Sequence, residues 1–148
     1  MFKNQMLGNN IKALVIHAII TLMINVFFYT PDSYSLTLNI AIGSLLYVVL
    51  SAVLLKPTKR LFYSVISVFV LLMFIAIIES FGEYFGMISM MFNPCYIEFI
   101  YDMTNYNSFI SVYVSTIIPS LLMFIGLIIK KIIYRHFDKN ESINEKHI

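Results

Sequence analysis

The residues able to do chemistry fall into a few spaced sets. Glu79 and Glu83 are four apart, as are Glu98 and Asp102. Each pair could share a helical face and offer carboxylate oxygens to a hard cation, which makes these four acids a candidate weak cation site. Met87, Met90, Met91 and Cys95 supply thioether and thiol sulfur, the donors that Cu(I) prefers. His17, Thr21 and Asn25 recur every four residues, as do Asn39, Gly43, Tyr47 and Ser51. His17 is the protonatable member of these stripes. Ser108, Ser111, Ser115 and Pro119 line one side of a later segment, with Thr116 and Ser120 on another.

Most of this chemistry has a plainer explanation. Nothing resembles an EF-hand loop, and methionine near a membrane surface usually serves as apolar filler. A proton path needs carboxylates or a chain of ionisable groups across the bilayer. Here no Asp or Glu lies inside an apolar segment except Glu79, at the end of the third. HExxH, GxSxG and Gly-rich phosphate loops are all missing from the sequence. Cys95 is the single cysteine, which excludes an intrachain disulfide and any CxxC motif. The expectation is therefore a protein that is not an enzyme, with no cofactor and no resident metal.

The elements that carry these residues follow from composition. Of 148 residues, 59% are hydrophobic and 12% charged, with a mean hydropathy of +0.83. Soluble domains hold about 25% charged residues, so the chain reads as an integral membrane protein. Four apolar segments are long enough to cross a bilayer as helices: residues 13–30, 35–55, 61–79 and 108–129. They are continuous, and roughly twice the length of the alternating strands of outer-membrane barrels. The fold class expected is an all-α four-helix transmembrane bundle, a single domain over residues 1–131. Residues 132–148 form a basic, then polar, tail. The first segment lacks a small-residue cleavage pattern and should remain as an anchor.

Charge sets the orientation. All ten Lys and Arg residues lie before the first segment, between the second and third, or after the fourth. The other two connections carry Asp32, Glu79, Glu83, Glu98 and Asp102. The positive-inside rule then places both termini in the cytoplasm of a plasma-membrane protein. Lys130, Lys131 and Arg135 stand where anionic lipid head groups would meet them. A nucleic-acid partner is excluded, because the basic cluster is small and lies against the bilayer. Beyond Asp138 the tail composition predicts disorder.

Geometry can be read further. The first two segments form an antiparallel hairpin turning near Asp32, so facing residues have position numbers of constant sum. Asn25 with Asn39, Thr21 with Gly43, His17 with Tyr47, and Ala13 with Ser51 all satisfy it. This predicts a structural polar ladder of His17, Thr21, Asn25, Asn39, Gly43 and Tyr47. Asn25 and Asn39 would exchange amide bonds, and Gly43 would give Thr21 room. Pro119 should kink the fourth helix. The third segment is almost featureless between Val68 and Ile78, and should face lipid or a partner. The loop at 80–107 is too apolar to float in water. Asn93-Pro94 splits it into two short helices, expected to lie at the interface or cap the bundle.

Two function classes remain. One is a noncatalytic accessory, regulatory or immunity-type partner of a larger membrane complex. The alternative is an oligomeric small pore, holin-like protein or transporter subunit. Two halves without a shared pattern weigh against inverted repeats, and few polar residues line any one path. A protein partner in the membrane, or further copies of the chain, is implied in either case.

Overall fold

A computed structural model describes residues 2–28, 33–81, 87–105 and 107–144. They are predominantly helical, with no strand among the described residues. Helix α1 (Phe2–Met23) continues into a π-helical turn at Ile24–Phe28, and α2 covers Ser33–Leu54. A 3-10 turn at Phe62–Ser64 leads into α3 (Ile66–Glu79). Two short helices follow, α4 (Met87–Phe92) and α5 (Pro94–Met103), then α6 (Ser108–Ser115) and α7 (Ile117–Asn144).

Three stretches are long and apolar enough to cross a membrane: Asn4–Val26, Leu36–Leu54 and Phe109–His136. The α3 helix is a shorter apolar helix of 14 residues. The expected third helix over residues 61–79 is thus broken at its start, where the chain turns through the 3-10 segment. Helix α1 begins some eleven residues before the expected start at residue 13. Its first turns are polar yet rich in helix-tolerant residues, and they pack onto the connection after α2. The tail also differs from expectation. Helix α7 runs on to Asn144 rather than ending near residue 129, because its Lys, Arg and Glu residues are good helix formers with nothing to break them.

One continuous core joins the elements: Ile16 and Ile20 of α1, Tyr47 of α2, Val68 and Leu72 of α3, Tyr96 of α5, and Met123 and Leu127 of α7. Helix α3 buries Val68, Leu72, Ala76 and Glu79 and exposes Val70, Phe74, Ile77 and Ile78. Only one side of this segment is therefore free to face lipid or a partner, since the other packs into the protein. Both sides are apolar, so composition could not distinguish them.

Candidate functional site

The 80–107 connection is where the polar side chains converge. The Asn93-Pro94 break separates α4 from α5, with Pro94 at the start of α5, where its missing N–H has no consequence. A short helix leaves its terminal N–H and C=O groups without partners. Here other helices supply them. Glu79, at the end of α3 and buried, accepts hydrogen bonds from the backbone N–H groups of Ile88 and Ser89 and from the Ser89 hydroxyl. A carboxylate at that position also suits the positive end of the α4 dipole. At the other end of α4, the Asn25 amide donates to the Met91 carbonyl (2.8 Å) and the Thr21 hydroxyl to the Phe92 carbonyl (3.1 Å).

Asn93 links this segment to α6 and α7. Its side-chain amide donates to the Ser115 carbonyl at 2.8 Å, in a buried contact. The residue four positions after Ser115 is Pro119, which has no N–H to offer that carbonyl. Asn93 fills the place the proline leaves open. The helix breaks at Thr116, between α6 and α7, rather than at the proline itself. The Ser115 and Thr116 hydroxyls donate back to the carbonyls of Val112 and Tyr113 (2.9 and 2.7 Å), a pattern that bends helices. The kink expected at Pro119 is therefore a break one turn earlier, as the ring clashes with the preceding turn. Pro119 is fully buried.

Helix α5 enters deeply. Cys95, Tyr96 and Ile97 are buried, and the Tyr96 and Ser44 hydroxyls share a hydrogen bond of 3.1 Å. A Cβ on Gly43 would lie 3.1 Å from Ile24 Cδ1 and 3.4 Å from the Tyr96 hydroxyl. Gly43 thus makes room for Ile24 and Tyr96, correcting the expectation that it accommodates Thr21. His17 and Tyr47 meet as the constant-sum rule places them, through a 2.6 Å hydrogen bond between Nδ1 and the phenol oxygen. Asn25, expected to exchange bonds with Asn39, turns to α4; Asn39 is buried. The cause is the inserted α4–α5 segment, which occupies the space between α1 and α2 that the ladder would have closed. Among the described residues, His17 Nε2 is the sole buried side-chain nitrogen or oxygen without a hydrogen-bond partner.

The proposed cation set does not assemble around Glu79, whose oxygens are both engaged by α4. Glu98 is half-buried and Asp102 exposed on α5, while Glu83 lies outside the described residues. No group of three His, Cys, Asp or Glu residues able to hold a metal occurs among the described residues. Burial, aided by nearby Glu98, pushes the Cys95 thiol up to about 11.

The opposite, basic end contains contacts that the sequence reading missed. The Asn9 amide brackets Lys56, donating to its carbonyl (2.7 Å) and accepting from its N–H (3.1 Å). Asn10 likewise donates to the Tyr63 carbonyl and accepts from the Ser67 N–H. The ammonium of Lys12 donates to the Leu54 carbonyl (3.2 Å), and that of Lys130 to the carbonyls of Val53 (3.0 Å) and Leu55 (2.7 Å). Both cap the negative end of α2. Lys130, named above as a residue for anionic head groups, thus also caps a helix. Lys131 is half-buried and Arg135 exposed further along α7. A paired Asn-Asn beside a basic segment was the available signal, but side-chain amides carry no periodicity of their own.

Ser51 also faces an unexpected neighbour. A Cβ on Gly126 of α7 would overlap the Ser51 hydroxyl and the Val48 carbonyl, and would stand 3.2 Å from the Ala52 nitrogen. The close approach of α2 is therefore to α7, at Gly126, in the manner of small-residue contacts between membrane helices. Together these features define a class: an all-helical protein with three helices long and apolar enough to cross a membrane. Comparison goes no further, since no family model, curated protein or solved structure matches the chain.

Proposed function

We propose that this chain is a noncatalytic four-helix membrane protein that serves as an accessory, regulatory or immunity-type partner of a larger complex in the plasma membrane, with both termini cytoplasmic. The observation that carries this reading is where the polar side chains around the α4–α5 segment point. Thr21, Asn25, Glu79 and Asn93 bond to the protein's own backbone, so these side chains hold an inserted segment in place rather than line an open path. Large apolar side chains cover the outside, among them Leu22, Val53, Phe74 and Leu121, a surface suited to lipid or to another membrane protein. The grouping of the basic residues at one end supports the orientation.

The test is the mass of the complex extracted from its native membrane in mild detergent, with each component identified. A different protein at fixed stoichiometry is the expected result. A homo-oligomer of defined size would overturn the accessory reading and favour a pore or transporter subunit.

A further inference from the structure

We infer that the cleft at the basic end binds the phosphate group of an anionic ligand, either a phospholipid head group or a free phosphate. The cleft measures about 430 Å³ and is lined by Asn4, Gln5, Gly8, Asn9 and Lys12 on one face of α1, and by Lys56 across from them. Lys12 links the cleft to the end of α2, where Lys12 and Lys130 cap three successive carbonyls. Three ammonium groups thus gather around one helix terminus. The terminus itself offers only about half a negative charge.

No carboxylate in the neighbouring sequence balances them. Residues 1–31, 33–78 and 103–137 contain no Asp or Glu. The Leu54 carbonyl takes one of the three protons on the Lys12 ammonium, and the Lys56 side chain is exposed at the rim. A Cβ on Gly8 would meet nothing within 4 Å, so the wall of α1 there stands open to a ligand. The lining is mostly apolar, and the donors for the acceptor oxygens of a phosphate are the Lys12 and Lys56 ammonium groups with the Asn4 and Gln5 amides. The cleft also lies where the apolar stretches Asn4–Val26 and Leu36–Leu54 reach their basic ends. This is the depth of lipid phosphates if these helices cross a bilayer. That lipid source alone rests on the membrane-spanning reading; the phosphate chemistry does not.

The experiment is native mass spectrometry of the full-length chain in mild detergent, titrated with phosphatidylglycerol, phosphatidylcholine and inorganic phosphate. One phosphatidylglycerol should bind per chain in preference to phosphatidylcholine. Lys56→Gln should weaken that binding about fivefold, whereas Lys139→Gln with Lys146→Gln in the tail should not. Lys56 is the deciding position because Lys12→Gln would also uncap α2. Displacement of the lipid by millimolar phosphate would assign the site to free phosphate, and retention would assign it to the head group; either supports the inference. Equal binding of the two lipids, or Lys56→Gln binding like wild type, would overturn it.

Discussion

Pro119 and Asn93 are far apart in sequence and answer one another chemically. The proline deprives the Ser115 carbonyl of its helical partner, and the Asn93 amide replaces it at 2.8 Å. The two should therefore be coupled. Asn93→Leu should destabilise the wild-type protein by about 1 kcal/mol. In a Pro119→Ala background, position 119 regains an N–H and the same change should cost much less. Unfolding in detergent for the four members of the cycle measures this; additive losses would mean that Asn93 does not serve the carbonyl freed by the proline. Half of this pair was legible beforehand, since a proline in an apolar segment announces a disturbed helix. Its partner was not, because an asparagine in a loop gives no sign of which distant carbonyl it will reach. The pair of His17 and Tyr47 was legible for the opposite reason: helical periodicity and a known turn place them opposite one another.

Three of the helices expected from apolar length are long enough to cross a membrane and α3 is shorter, but their contacts depend on small residues that length does not reveal. The α2 helix was expected to zip against α1. Its closest approach is instead to α7, where Gly126 allows backbone contact beside Val48 and Ser51. Two glycine substitutions separate this geometry from helix propensity. Gly8→Ala has open space around it, and relief of glycine's backbone entropy should stabilise α1 by about 0.5–1 kcal/mol. Gly126→Ala has the same propensity gain but must push α2 away, so a net loss of about 1–3 kcal/mol is expected. Thermal unfolding of both variants checks the opposite signs. The ends of α4 were equally hidden from sequence reasoning. Spacing paired Glu79 with Glu83 and Asn25 with Asn39, whereas buried Glu79 and exposed Asn25 both turn to the backbone of α4. An unpaired carbonyl or N–H at a short helix end is a stronger demand than a like side chain one turn away. Glu79→Ala should accordingly loosen α4 without disturbing the distant contacts of Asn9 and Asn10, a difference that amide hydrogen exchange would register at residues 88–93 and not at 56–67.

At the scale of the whole molecule, polar side chains of α1, α3 and the α4–α5 segment grip an apolar insertion, while lysines and asparagines fasten the other end. Composition and charge distribution foretold helices and two chemically distinct ends. They also divided residues 80–107 into two short helices at the interface or capping the bundle, without showing that part of the second packs into the core. Insertion is what brings Cys95, Tyr96 and Ile97 into the core, and it is the central feature on which the proposed function depends. Cys95 offers a direct probe as the sole cysteine, only 3% exposed, with its thiol held protonated by burial. The decisive measurement is its modification by a water-soluble maleimide in sheared vesicles, where both membrane faces are accessible. In the wild-type protein Cys95 should stay largely unmodified at neutral pH until denaturant is added, and Thr21→Val combined with Asn25→Leu should speed its labelling. Rapid modification of the folded wild-type protein, at the rate seen in denaturant, would contradict the inserted segment and the account built on it.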